Sequence, residues 1–366
     1  MSFSEIIRPE LDPLVPYAPG LRASQVRERS GKETVIKLSS NEAPYGPFPA
    51  AIRAMRSVLA RANRYPDGAA VALRDKLAAH LDVPADEVVV SAGSNELLRL
   101  IGQVVLRPGD EVVFCWPSFV VYPMVADAFN ATQVRVSLDG DDAYDLDAVA
   151  DAITAKTRLV YLCNPNNPTG AIYRRGAFEH FLDRAPDHVL VVVDEAYFEF
   201  VDEDDYPDTL RYYDGTRPLA VTRTFSKMYS LAGLRVGYGI LPRPLAEAVG
   251  KVREPFNVSS VAQVGAYFSL DDPAEVERRR AENAQERARL SSAFERLGIA
   301  YTPSHTNFVY IRTDRPVEVA QALIEEGVIV RGFGPAPALR VGIGSPQETR
   351  ATIEAFERVV ARLGSP

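Results

Sequence analysis

Cysteine and histidine are scarce in this chain, and their scarcity excludes two classes of protein. Two cysteines, Cys115 and Cys163, stand among 366 residues, with no CxxC pair, and the four histidines are scattered. A disulfide framework or a zinc site needs more thiol or imidazole groups at closer spacing. Both cysteines close apolar runs that read as buried strands, so they are expected to be small core residues. No apolar run approaches the roughly 18 residues of a membrane span. Surplus positive charge is missing too. The formal net charge is −8, which argues against a general affinity for nucleic acid or anionic membrane but leaves room for a local basic pocket. The opening MSFSEIIRPELDPLVPYAPG has acids and prolines where a signal peptide needs an unbroken apolar stretch. The expectation is a cytoplasmic protein with no bound metal and no nucleic-acid or membrane partner.

What is present suits a large core. Apolar residues make up 46% and charged residues 25%, as in ordinary soluble domains, and the length suggests two or three units. Residues 1–30, with a cluster of prolines, read as an N-terminal arm. Residues 31–255 alternate longer amphipathic stretches with the short runs EVVVS (87–91), EVVFC (111–115), RLVYLC (158–163), VLVVV (189–193) and LAVT (219–222). Continuous valine-rich runs, rather than polar–apolar alternation, imply strands buried on both faces, hence an α/β domain whose mostly parallel sheet is flanked by helices. Residues 256–366 read as a smaller α+β unit. Its charged segment 273–297 is expected to be a solvated helix laced with i,i+4 ion pairs. Ligands of parallel sheets collect beyond the carboxyl ends of the strands, so the chemistry is sought there.

Four of the five runs end in suitable groups. After EVVVS come Gly93, Ser94 and Asn95, where a glycine and a helix start can seat an anion; Ser94 also reads as a plain helix cap. After RLVYLC comes NPNNPTG, a rigid turn presenting Asn167. After VLVVV come Asp194 and Tyr197. An acid there is costly to desolvate unless a cation faces it, although it also reads as a cap for a following helix. After LAVT come Thr224, Ser226 and Lys227, with Arg235 eight residues further on. Neighbouring positive charge lowers a lysine's pKa and favours the neutral, nucleophilic amine.

NPNNPTG, DEAY and TFSK…LAGLRVG in this order resemble the fold-type I aminotransferases, enzymes built on pyridoxal 5'-phosphate (PLP). Within them the chain is most similar to the histidinol-phosphate aminotransferase family and the related bacterial aromatic aminotransferases. The similarity runs from PYAPG and LSSNEAPYGP through NRYPDG to SHTNFV and ALRVGIG, nearly the whole chain. It implies that Lys227 forms a Schiff base with PLP and then shuttles the substrate proton. It further implies that Asp194 pairs with the ring nitrogen, that Asn167 and Tyr197 bond the ring oxygen, and that Phe119 stacks on the ring. Ser94, Asn95, Thr224, Ser226 and Arg235 then surround the phosphate. Tyr65 matches a tyrosine that reaches the cofactor of a neighbouring subunit, which implies a homodimer with shared sites. Arg340 matches the arginine that receives the substrate's anion. Arg331 is a candidate second clamp behind a loop shorter than in many relatives, and Tyr17 and Asn41 match positions that close over the substrate.

The implied reaction is ping-pong transamination between an amino donor and a 2-oxo acid, the glutamate/2-oxoglutarate pair serving one half. The resemblance favours histidinol phosphate, hence histidine biosynthesis, over phenylalanine or tyrosine. A phosphothreonine decarboxylase shares a similar framework but would need no keto-acid acceptor. A regulator built on the same domain would need a fused DNA-binding module, and the arm before the first motif has no helix-turn-helix pattern or basic stripe.

Overall fold

The computed structural model describes residues 6, 7, 11, 16, 20–333 and 336–364. Its main sheet has seven strands: β1 (Val88–Ser91), β2 (Glu111–Trp116), β3 (Thr132–Ser137), β4 (Thr157–Cys163), β5 (Leu190–Asp194), β6 (Leu219–Thr224) and β7 (Gly237–Ile240). They lie in the order β1-β7-β6-β5-β4-β2-β3. Only β7 runs antiparallel to its neighbours, so all the other strands point the same way. Ser91, Trp116, Cys163, Asp194 and Thr224 therefore end at one edge of the sheet, and β7 starts from that edge at Gly237.

The five valine-rich runs all became strands, because β-branched side chains pack well on a pleated surface covered on both faces. Every residue of β1, β5 and β6 is buried. Two strands carry no such signal in the sequence. The edge strand β3, TQVRVS, is mostly solvated, as an edge permits. In β7, GYGI, glycines take the place of branched residues. A Cβ on Gly237 would stand 2.5 Å from the backbone nitrogen of Ser94. That glycine lets the start of the helix Ser94–Val105 settle against the sheet.

Helices cover both faces and enclose two cores. One gathers Leu97, Ile101, Phe114, Tyr122, Tyr161 and Phe181. The other gathers Phe48, Leu73, Leu77, Phe225 and Tyr238, together with Ala262, Ala266 and Leu270. The helix Ser260–Ser269 thus packs with the large sheet, although the sequence divides the chain at residue 255. A third core lies under a four-stranded antiparallel sheet made by Tyr301–Thr302, Phe308–Arg312, Arg331–Gly332 and Ala338–Gly342. Ile36 and Leu38 belong to this third core, and Ile36–Lys37 pairs in parallel with Val328–Ile329. Hydrophobic burial therefore draws residues 36–38 to the C-terminal unit.

The charged helix Pro273–Arg296 carries the expected ion pairs, Arg278 with Glu275 and Glu282 among them. It is not simply solvated. Arg279 is buried and donates to the carbonyls of Gly46 and Met228 and to Ser230. The helix thereby ties the loop after Lys227 to the loop after Asn41.

Candidate active site

A cavity of about 820 Å³ opens at the carboxyl edge of the sheet, between it and the C-terminal unit. Asp194, Asn167, Tyr197, Lys227, Arg235, Phe119, Ser94, Asn95, Thr224 and Ser226, drawn from separate stretches of sequence, all line it, as do Asn41, Arg331 and Arg340. Tyr65 does not. It is 82% exposed and stacked on Phe256 at 4.6 Å between centroids. Tyr17 lies outside the described residues.

Asp194 forms the floor. Its carboxylate is almost wholly buried and accepts from the Thr222 hydroxyl at 3.3 Å and the Tyr122 hydroxyl at 3.0 Å. Desolvation pushes its pKa up to about 6 despite those donors. A cation against this carboxylate would offset that penalty, and a protonated pyridine nitrogen is such a cation. Tyr197, also buried, receives a hydrogen bond of 2.7 Å from the Asn41 amide. Burial raises its phenol well above the ordinary range, so it keeps its proton and can donate to a ring oxygen.

Lys227 faces the same space, its Nζ 5.7 Å from the Tyr197 ring centroid and 3.5 Å from the Ser40 carbonyl oxygen. Desolvation first, then the charge of Arg340, lowers its pKa to about 8. A sizeable share of the amine is therefore neutral near physiological pH, the form that attacks an aldehyde.

One end of the cavity is an anion seat. The helix Ser94–Val105 starts at its wall, with Ser94 and Asn95 lining the space, where a helix N-terminus favours an anion, and Arg235 lies beside Gly93. Gly93 has φ +84°, and a Cβ there would come within 2.5 Å of the Arg235 guanidinium, so a side chain would fill the cradle. Arg235 donates to Ser226 Oγ at 3.4 Å and to the Ala232 carbonyl at 3.0 Å, while Thr224 Oγ1 accepts from the Ser226 backbone N–H at 3.1 Å. The dimensions and chemistry suit PLP: a phosphate seat, a floor carboxylate, an amine and a phenol converge on one cavity.

The opposite end is cationic as well. Arg340 donates to Asn167 Oδ1 and, at 3.0 Å, to the Ser39 carbonyl. Arg331 stands directly across from it in antiparallel register. Phe308 and Phe333 flank the Arg340 guanidinium at 5.2 and 5.7 Å.

Several participants escape the sequence. Thr222 faces Asp194 only because β5 and β6 pair in that register. Tyr122 comes from a helix whose apolar residues read as ordinary core. Beyond the floor, Arg223 and Glu195 form an ion pair at 2.7 Å with both side chains buried. Asp208 adds a second carboxylate to Arg223 at 3.1 Å. Among the motif residues, Arg223 and Glu195 alternate with the cavity-lining Thr224 and Asp194, so strand geometry sends them elsewhere.

Comparison with known proteins agrees with this geometry. The family model described as aminotransferase class I and II matches residues 33–356. Histidinol-phosphate aminotransferase of Moorella thermoacetica is 40% identical over 351 residues, 94% of this chain and 91% of that protein. Histidinol-phosphate aminotransferase 2 of Carboxydothermus hydrogenoformans is 40% identical over 364 residues, 98% of this chain and all of that protein. The crystal structure of histidinol-phosphate aminotransferase from Sinorhizobium meliloti in complex with pyridoxal-5'-phosphate superposes with a TM-score of 0.88. It shares 25% identity and covers 98% of both chains.

Proposed function

The chain belongs to the aminotransferase class I and II family, and we propose that it exchanges an amino group between histidinol phosphate and the glutamate/2-oxoglutarate pair, in histidine biosynthesis. It is a PLP-dependent enzyme with a fold-type I architecture. No helix among the described residues is long and apolar enough to cross a membrane. The observation that carries the substrate assignment is the facing pair Arg331 and Arg340. Two arginines lining one cavity from facing strand positions match a phosphate dianion better than a single carboxylate. Histidinol phosphate has no carboxylate, so its phosphate is the group this end would take. The relatives' names point the same way.

Bound PLP supplies an aldehyde carbon and an electron-withdrawing ring. The chain's residues do the rest. Lys227 would hold the cofactor covalently and, as a neutral amine, would take up the proton of the substrate's α-carbon. Asp194 keeps the ring nitrogen protonated, and Tyr197 and Asn167 hold the ring oxygen. Phe119 would stack on the ring. Ser94, Asn95, Thr224, Ser226 and Arg235 anchor the phosphate of the cofactor. Arg340 and Arg331 anchor that of the substrate, beside Asn41.

The test is kcat/KM for histidinol phosphate beside phenylalanine and tyrosine, with 2-oxoglutarate as acceptor. A preference of at least 1.4 kcal/mol, roughly tenfold, is expected. The reverse preference would make Arg340 a carboxylate site in an aromatic aminotransferase. Carbon dioxide release from phosphothreonine without any acceptor would favour decarboxylation. In Arg340→Ala the loss of a buried charged contact lowers kcat/KM for histidinol phosphate by roughly 30-fold to 1,000-fold, chiefly through KM. An unchanged KM would remove Arg340 from the substrate site.

We also propose a cytoplasmic homodimer in which Tyr65 reaches the neighbouring subunit's cofactor phosphate. Its exposure, in a stacked pair with the half-exposed Phe256, supports that reading, since large aromatics left in water mark contact surfaces. Sedimentation is expected to give a dimer at micromolar concentration, and Tyr65→Phe to weaken cofactor affinity. A pure monomer with full activity would end the shared-site reading.

A further inference from the structure

We propose that Tyr122 is a positioning residue for this reaction: its hydroxyl fixes Asp194 beneath the cofactor ring and restrains that carboxylate from taking the ring nitrogen's proton. The inference rests on the proposed place of Asp194 at the ring nitrogen.

Three observations carry it. Tyr122 is fully buried in the helix Val121–Ala128, and its hydroxyl reaches Asp194 Oδ2 at 3.0 Å. The other carboxylate oxygen has a longer bond of 3.3 Å, from Thr222. The Tyr122 ring is also held in one pose. It stacks on Tyr161 at 4.6 Å and 14°, and the hydroxyl of Tyr161 is itself tied to the Leu98 carbonyl at 2.9 Å. Finally, Phe119 meets the Tyr122 ring edge-on at 5.8 Å and 85°. One side chain thus buttresses both the carboxylate under the cofactor and the aromatic expected against its face.

The chemistry follows from the direction of the hydrogen bond. Desolvation, reinforced by the charge of Asp194, holds the Tyr122 phenol well above its ordinary pKa. It therefore keeps its proton and donates it to the carboxylate. A donated hydrogen bond stabilises the carboxylate and lowers its proton affinity. The Thr222 hydroxyl and the Ala196 backbone N–H also donate to Asp194, and the Tyr122 bond is the shorter of the two side-chain ones. Of the titratable groups near it, Cys163 and Tyr161 come from β4, Lys227 and Tyr197 line the same cavity, and Glu195 is paired with Arg223. Without the Tyr122 hydroxyl, Asp194 becomes more basic and competes more strongly for the ring nitrogen's proton. The ring then carries less positive charge. The Lys227 nitrogen joined to the cofactor, no longer repelled by it, holds its own proton to higher pH.

The experiment compares wild type, Tyr122→Phe and Asp194→Asn as holoenzymes. The readouts are the pH midpoint of the bound cofactor's visible absorbance change and the split between kcat and KM. Tyr122→Phe keeps the ring and its stacking. Its midpoint should move up by about half a unit or more, and kcat should fall about tenfold, the usual scale of a charged hydrogen bond, with KM for the amino donor within about twofold. A variant with lower thermal stability but wild-type midpoint and kcat would make Tyr122 a core residue only and overturn the inference. If Asp194→Asn also leaves the midpoint unchanged, the placement of Asp194 fails with it; if Asp194→Asn moves it and Tyr122→Phe does not, only the role of Tyr122 fails. Should Tyr122→Phe not fold, 3-fluorotyrosine placed at position 122 supplies a stronger donor in the same shape. It should move the midpoint down, and no movement would overturn the proposal.

Discussion

Lys227→Ala is expected to lower transamination by at least about 10⁴-fold, since it removes both the covalent attachment and the proton shuttle, the latter alone worth about 10²–10⁴-fold. The visible absorbance of the lysine–cofactor adduct should vanish as well. The fold should survive. Lys227 lies at the cavity wall, and its depressed pKa of about 8 marks a charge the protein holds at a cost. A lysine whose folded pKa lies below the unfolded value contributes least at low pH and recovers as pH rises through 8. Apo Lys227→Ala should accordingly unfold no earlier than apo wild type at pH 7. The phosphate seat at Gly93, Ser94 and Arg235 remains, so the cofactor should still bind, though more weakly, and should stabilise the variant less at equal concentration. An adduct band that persisted in the variant would show that another amine carries the cofactor.

The second large effect is expected at Asp194, where stability and activity should move in opposite directions. Its folded pKa of about 6 lies above the unfolded 3.8. The contribution of this group to stability is therefore intact below pH 3.8 and is lost as pH rises through 6. At pH 8 the ionised, desolvated carboxylate costs the apo protein on the order of 3 kcal/mol. Apo Asp194→Asn should be more stable than apo wild type at pH 8, with the gap closing toward pH 4. The order reverses in the holoenzyme, because a protonated ring nitrogen pairs with the carboxylate and an amide cannot match that pairing. Losing one partner of a buried charge pair costs about 3–5 kcal/mol, so kcat should fall roughly 10²–10³-fold. Thermal melts of apo and holo protein at the two pH values, with kcat alongside, decide it. An apo variant less stable than wild type at pH 8, or one with undiminished turnover, would remove Asp194 from the role assigned here.

Much of the site was legible because function places its residues at strand ends. Gly93, Asn167, Asp194 and Lys227 each follow a valine-rich run, and parallel strands deliver their ends to one edge. The order and spacing of the motifs then identified the family. Other features were not legible. β7 hides its strand behind two glycines, whose role appears only when the Ser94 helix start is seen lying against Gly237. The charged helix 273–296 looks solvated by composition, but burial of Arg279 depends on carbonyls of Gly46 and Met228 that are distant in sequence.

What the sequence by itself determined is which groups line the cavity: an amine, an acid, a phenol, a glycine before a helix start and an arginine, most of them marked by a local pattern of apolar run, turn and polar residue. Local patterns suffice there because strand formation and turn geometry depend on near neighbours. What only the tertiary structure decided is the support of that chemistry. The Tyr122 and Thr222 donors to Asp194, the facing of Arg331 and Arg340, and the buried Arg223–Glu195 pair join residues far apart in the chain or turned by strand pairing to unexpected sides. Such contacts follow from register and packing, set by the burial of whole layers of side chains, and no short stretch of sequence encodes them.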